Sequence, residues 1–353
     1  MVNLRASRTL FVLPAIVLFA VGFYYFDTVV AFGEEIVFNV THPAGTATVE
    51  EKGKKGIVFV GDIMLARSVE KSLLSLPAEH AFLGVKELFK DTFVVGNFEA
   101  SVPTVHEPTP NFTFKFSVTP RLLPILTEAG VTHLSLANNH ALDYGAAGYR
   151  NTVMELRRHE LTAFGHPILV SSSSISYIEL DNKKVAVIAV SNLFTKPSVT
   201  EWEPVISEAN RSSDLQVVYI HWGNEYELIH SEKQRKFAKE LIDAGVDIVV
   251  GHHPHVVQDI WRYGDGVVFY SLGNFIFDQY WKDDVLNGLA LDMSFEEHIG
   301  WQIRLVPVES KSVRLQPREM VGEEREAFLV GLADRSDPGL ADGIMAGVIS
   351  LQF

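Results

Sequence analysis

Three histidines crowd around a proline where an apolar run ends, in Asp247-Ile248-Val249-Val250-Gly251-His252-His253-Pro254-His255. A short β-branched run bounded by Gly and Pro predicts a strand buried in a parallel sheet. The C-terminal ends of such strands are where open α/β sheets hold ligands. Pro254 fixes its own φ and restricts the residue before it, so His253 and His255 are held in a stiff turn. Two imidazoles so held can bind a metal ion. Taken alone, a His-Pro-His turn reads equally well as two loop histidines.

The same arrangement recurs along the chain. Ile57 to Val60 leads to Gly61-Asp62, Phe93 to Val95 leads to Gly96-Asn97-Phe98-Glu99, and His133 to Ala137 leads to Asn138-Asn139-His140. Leu215 to Ile220 leads to His221-Trp222-Gly223-Asn224-Glu225, and Asp247 to Val250 leads to the histidine turn. Singly, each polar residue has an ordinary structural explanation: Asp62 a helix N-cap, Asn97 and Asn139 turn residues, Glu99 a loop acid, His221 a hydrogen-bonded core histidine. Together, five strand ends carrying ligand-type side chains predict a site assembled at one edge of a sheet. Carboxylate, amide and imidazole donors without thiolate suit Mn, Fe or Zn, and they are numerous enough for two ions about 4 Å apart. Such ions activate water and polarise a phosphoryl or carbonyl oxygen, which is hydrolase chemistry.

The elements that must position these groups alternate. Strands at Ile57–Val60, Thr92–Val95 and His133–Leu136 are followed by helical patterns at 65–76, 120–129 and 144–159. Strands at 174–180, 185–190, 215–220 and 247–250 follow, with a helix at 232–244 before the last. This is an α/β pattern. After the histidine turn, 256–262 with 267–272 and 289–295 with 302–308 read as hairpins, predicting a second, antiparallel sheet. A short helix is expected at 324–333, and the Pro-rich stretch from Val102 to Pro110 is a long loop of the kind that often carries function.

With 353 residues the chain can bury a full core, and its net charge of −14 without a Lys/Arg cluster argues against nucleic acid as a partner. The absence of cysteine excludes disulfides, thiolate ligands and a Cys nucleophile. Arg5 and Arg8 precede an apolar run from Leu10 to Phe26 that ends in tyrosines and phenylalanines. It reads as an uncleaved membrane anchor in preference to a cleaved signal, with the positive-inside rule placing the rest of the chain outside. The expected organisation is an anchor or signal segment at 1–33, a linker at 34–55, the main α/β domain at 56–320 and an extension at 321–353.

The segments Gly61 to Arg67, Asn97-Phe98-Glu99, Ala137 to His140, His221 to Tyr226, Gly251 to Gln258 and Ser271-Leu272-Gly273-Asn274-Phe275 resemble the bacterial capsule synthesis CapA family over about 56–308. The resemblance implies a calcineurin-like metallophosphoesterase sandwich of two mixed β-sheets flanked by helices. It also implies a part in making poly-γ-glutamate capsule, membrane anchoring, and one or two divalent ions. By that resemblance Asp62, Glu99, Asn139, His221, His253 and His255 are metal ligands and His140 protonates the leaving group. Arg67, within the first motif, is a candidate to meet an anionic group at the strand end. His252 is expected behind the ligands, and Asn274 is placed to hydrogen-bond the site from a neighbouring loop. The chain departs from the metallophosphoesterase pattern at Met64, where a histidine ligand is expected, and Glu99 is longer than the usual bridging Asp. Implied partners are an anionic polymer such as poly-γ-glutamate, or a phosphoester, and a membrane-bound capsule synthase. The alternative to a hydrolase is a non-catalytic component of polymer assembly.

Overall fold

Residues 53–180, 182–194 and 197–351 are described by the structure, a computed structural model. In chain order, β1 (Ile57–Ile63), β2 (Phe93–Phe98), β3 (His133–Ser135) and β4 (Thr162–Phe164) lie parallel, side by side. β5 (Ile175–Leu180) and β6 (Lys183–Ser191) form a hairpin, after which β7 (Leu215–His221) and β8 (Ile248–His252) extend from β6 in parallel. β9 (Ile260–Tyr263) and β10 (Gly266–Phe269) follow. The chain then returns to the first sheet with β11 (Asn274–Ile276), β12 (Asn287–Glu296), β13 (Gly300–Glu309), β14 (Arg318–Glu319) and β15 (Val348–Leu351). The first sheet runs β14-β13-β12-β1-β2-β3-β4, with β11 also on β1 and β15 on β13; the second runs β5-β6-β7-β8-β10-β9. Both are mixed.

The hairpins after the histidine turn therefore do not make a sheet of their own. β10 docks parallel on β8, and β12 docks antiparallel on β1. A two-stranded ribbon buries too little to stand alone, and β10, apolar on both faces, is buried along its whole length.

Alternation along the strands sorts residues into layers. Ile57 and Phe59 of β1 join Val217 and Tyr219 of β7, Ile248 and Val250 of β8 and Phe269 of β10 in one buried cluster between the sheets. Their neighbours Val58 and Val60 face a second cluster with Val69 and Leu73 of the helix Arg67–Leu73. Val218, Ile220 and Val249 face a third, with Trp202 and Ile206 of the helix Val199–Ser212 and Phe237 of the helix Glu232–Asp243. The period of two thus yields helix, sheet, sheet, helix. Tyr219 ties the sheets together, donating its hydroxyl across the inner layer to the carbonyl of Val60 at 2.6 Å.

Two elements escape the sequence pattern. The helix Val199–Ser212 begins with a capping box of Ser198 and Glu201 but holds Pro204 inside, which interrupts the helical reading. The other is β15, which pairs with β13 near the end of the chain; the helix expected at 324–333 is present as Gly322–Arg335 and puts Leu329 and Leu332 into the inter-sheet cluster. No helix among the described residues is long and apolar enough to cross a membrane; the apolar run 10–26 lies outside them.

Candidate metal centre

The strand ends meet. Asp62 lies beside Asn97 in the β1–β2 register and beside Asn274 in the β1–β11 register, while His221 and His252 are partners at the end of β7 and β8. Two glycines let the backbones close in. A Cβ on Gly61 would stand 1.9 Å from the carbonyl oxygen of Gly273, and one on Gly251 would stand 2.0 Å from that of Tyr270. Past β8 the chain turns sharply, with His253 and His255 both in the left-handed region at φ 97° and 58°. Arg67 (54°) and Tyr226 (66°) share that conformation, so four of the nine non-glycine residues with positive φ among the described residues border this centre. Strained backbone of this kind gathers at functional sites.

Asp62, fully buried, accepts from Asn97 Nδ2 at 2.8 Å on Oδ1 and from the His253 amide at 3.4 Å on Oδ2. His255 Nδ1 lies 3.3 Å from Asp62 Oδ2 and 2.9 Å from Asn274 Oδ1. His255 Nε2 lies 3.8 Å from Glu99 Oε1, as does His140 Nε2. His221 Nε2 is 2.8 Å from Asn139 Oδ1, and its Nδ1 is 3.3 Å from Asn97 Nδ2. Two sets of donors result, Asp62 with Glu99 and His221, and Glu225 with His253 and His255; within each, the donor atoms lie within 4.8 Å of one another.

The electrostatics suit a cation. Burial works to raise the Asp62 pKa, but the hydrogen bond and charge of His255, helped by His252 and His221, hold it below the ordinary carboxylate range. Glu99 goes the other way: burial, then the charges of Asp62, Glu225 and Asp143, push it well up. Two buried carboxylates so close cannot both ionise cheaply without a counter-charge. Burial also lowers His221 well below its usual value, His252 to about 4 and His253 to about 3. These imidazoles are neutral at physiological pH, the form that binds metal. Glu99 Oε1 and His253 Nδ1 are buried without a hydrogen-bond partner, a costly condition that a cation relieves. The residues fit a divalent ion.

His140 stands at the rim of this group. Its Nδ1 is 2.9 Å from Asp143 Oδ2, which favours a proton on Nδ1 and turns Nε2 toward Glu99. Arg67 also sits alongside, but its guanidinium pairs with a carboxylate of the protein itself, Asp278, and its Nη1 is 3.4 Å from the Thr113 carbonyl oxygen. His252 packs against Tyr219 with ring centroids 4.0 Å apart, its Nδ1 3.6 Å from Asp62 Oδ1. Met64 belongs to the outer core of the first sheet, its sulfur accepting from the Ala66 amide at 3.1 Å. A different residue stands among the histidines: Glu225, four positions past β7, in an exposed turn where sequence gives it no assigned role. Asn97 likewise proves central, its Nδ2 within 3.5 Å of both carboxylates.

Comparison with known proteins agrees with this arrangement of motifs. The family model of the bacterial capsule synthesis protein PGA_cap matches residues 56–279. The chain is 36% identical over 242 residues to the "PGA biosynthesis protein CapA" of Bacillus subtilis (strain 168), covering 63% of each chain. It is 35% identical over 263 residues to the "Capsule biosynthesis protein CapA" of Bacillus anthracis, covering 67% of this chain and 64% of that one. It thus spans less than two thirds of either relative. Among solved structures, a novel phosphatase from Mycoplasma pneumoniae superposes with a TM-score of 0.45 at 13% identity, over 75% of this chain and 92% of that one. This chain, with its two mixed sheets and the cluster at their edge, belongs to the PGA_cap family of bacterial capsule synthesis proteins.

Proposed function

We propose that this protein is a metal-dependent hydrolase of metallophosphoesterase type that serves poly-γ-glutamate capsule production from outside the cytoplasmic membrane. One observation carries the reading: donors from the ends of four strands, β1, β2, β7 and β8, gather into two adjacent triads, Asp62/Glu99/His221 and Glu225/His253/His255. Family membership and the names of the two relatives supply the capsule context. Arg5, Arg8 and the run from Leu10 to Phe26 supply the anchor.

The two triads, with Asn139 beside His221, are the residues that would hold Mn, Fe or Zn. A divalent ion bound there supplies Lewis-acid polarisation of a phosphoryl or carbonyl oxygen. The chain does the rest. Asp143 fixes the His140 ring so that Nε2 faces the site; when both ring nitrogens carry protons, Nε2 can hand its proton to the departing group of a phosphoester, or of an amide within an anionic polymer, leaving the neutral Nδ1–H form. The formal charge of −14 repels a polyanion at long range, so bound cations also have a part in admitting one.

The test uses the full chain purified in detergent. Metal content by mass spectrometry and turnover of bis(p-nitrophenyl) phosphate and of poly-γ-glutamate are measured for wild type, Asp62→Ala and His253→Ala. Wild type should hold metal and cleave one of the substrates, and both variants should lose both properties. Wild type without metal or without turnover refutes the reading. A second reading, a non-catalytic component that guides the polymer, is favoured by Met64, which sits in the core where a ligand histidine is expected. Capsule production rescued by His140→Ala would select it.

A further inference from the structure

We propose that Phe116 is the positioning residue for His140, clamped in that task by the Arg67–Asp278 ion pair. The Phe116 ring stacks on the His140 imidazole with centroids 4.0 Å apart and planes 27° from parallel. Its backbone amide donates at 2.6 Å to Asp143 Oδ2, the same oxygen that lies 2.9 Å from His140 Nδ1. One residue thereby sets two degrees of freedom of a single side chain. The ring contact fixes the plane of the imidazole, and the amide holds the carboxylate that fixes its rotation and its tautomer.

Phe116 is itself held. The Arg67 guanidinium lies over its ring, 4.6 Å from the centroid, and Phe277 meets it edge-on at 6.2 Å. Asp278 keeps Arg67 there, taking its guanidinium on one oxygen and the Ser68 hydroxyl on the other at 2.8 Å. The backbone on either side is fastened too. Ser117 bridges to Ser101 and donates its amide to Thr109 Oγ1 at 2.8 Å. His106 spans Ser117 Oγ, at 2.7 Å, and Glu70 Oε1, at 3.0 Å. A phenylalanine that merely filled the core would need none of this. Here the order Asp278, Arg67, Phe116, His140, Asp143 is a continuous chain of contacts ending at the site, and it gives the paired Arg67 a purpose that does not require contact with substrate.

The kinetic arm of the test rests on the hydrolase reading, and the spectroscopic arm does not. Full-length wild type, Phe116→Leu, Phe116→Tyr and Asp278→Asn are labelled with 15N-histidine, and long-range 1H–15N spectra report the His140 tautomer, assigned by its loss in His140→Gln. Wild type and Phe116→Tyr should show a single Nδ1–H form. Phe116→Leu and Asp278→Asn should show a mixture, with kcat on bis(p-nitrophenyl) phosphate down by about ten- to a hundredfold at unchanged KM and metal content. A single Nδ1–H form in both of these variants overturns the proposal, as does a kcat loss that merely follows metal loss. Wild type inert toward the phosphodiester would sink the hydrolase reading and leave the tautomer to decide this one. If Phe116→Leu fails to fold, Asp278→Asn decides alone.

Discussion

His133 offers a quantitative test of how this fold responds to acid. The residue opens β3 with its ring edge-on to Phe93 and Phe164, both in the layer between the sheets, and its Nδ1 is 2.8 Å from Thr132 Oγ1. Burial, with the nearby charge of Lys54 adding to it, lowers its pKa from 6.5 to about 4. The unfolded chain therefore binds the proton more readily than the folded one across that interval. The sign follows: the neutral ring's contribution is complete above pH 6.5 and is lost as pH falls toward 4. Two and a half pH units correspond to about 3 kcal/mol in full, and about 2.5 kcal/mol is gone by pH 4.5. Replacing His133 by Leu removes the titration and roughly keeps the volume, and Thr132 Oγ1 retains its bond to the Val94 carbonyl. Urea unfolding of wild type and His133→Leu at pH 7.5 and 4.5 measures the difference. The variant should lose about 2–3 kcal/mol less than wild type between the two pH values. Equal losses in the two proteins would refute the argument, since some other group would then carry the acid sensitivity.

Three further outcomes are expected. Chelation should lower the melting temperature, and readdition of Mn or Zn at a hundred times its dissociation constant should restore about 2.7 kcal/mol, an effect absent in Asp62→Ala when followed by scanning fluorimetry. Glu225→Gln should reduce bound metal by titration calorimetry, while Met64→His should not increase it; that histidine would instead be buried in the outer core and cost about 1–3 kcal/mol in a urea titration. Gly61→Ala should unfold at lower urea concentration by at least about 1–3 kcal/mol, because its Cβ meets the Gly273 carbonyl oxygen at 1.9 Å and β1 must shift; an unchanged midpoint would show that the approach is not needed.

Much of the site is legible in sequence because a β-branched run followed by a polar residue encodes position and chemistry together. Asp62, Glu99, His221 and His253 each follow such a run within a few residues, and each arrives at the shared edge. Glu225 closes the segment that follows the Leu215–Ile220 run, but nothing in that segment singles it out as a donor beside His221. It reaches the histidines through a turn that Gly223 makes at φ 86° and Tyr226 at 66°, and such backbone reversals leave no periodicity to read. Phe116 is harder still, since its role depends on a loop whose two ends are joined by Ser101 and Ser117. The helices at 145–158 and 232–243 are visible from their patterns, whereas Val199–Ser212 is masked by Pro204. Hairpin periodicity told of β9–β10 and β12–β13 but not of the sheets they would extend, because alternation records which side is apolar and not what covers it.

The left-handed backbones of Arg67, Tyr226, His253 and His255 bear on how the protein matures. Each costs about 1–2 kcal/mol relative to a relaxed residue, so the rim of the sandwich is built under tension that the surrounding layers must restrain. Ion capture by the histidines would act as a rivet on that rim. A freshly made chain should then reach its resting shape in two stages, the layered body first and the taut edge only once a cation is seated, which links maturation of this protein to the metal supply around it.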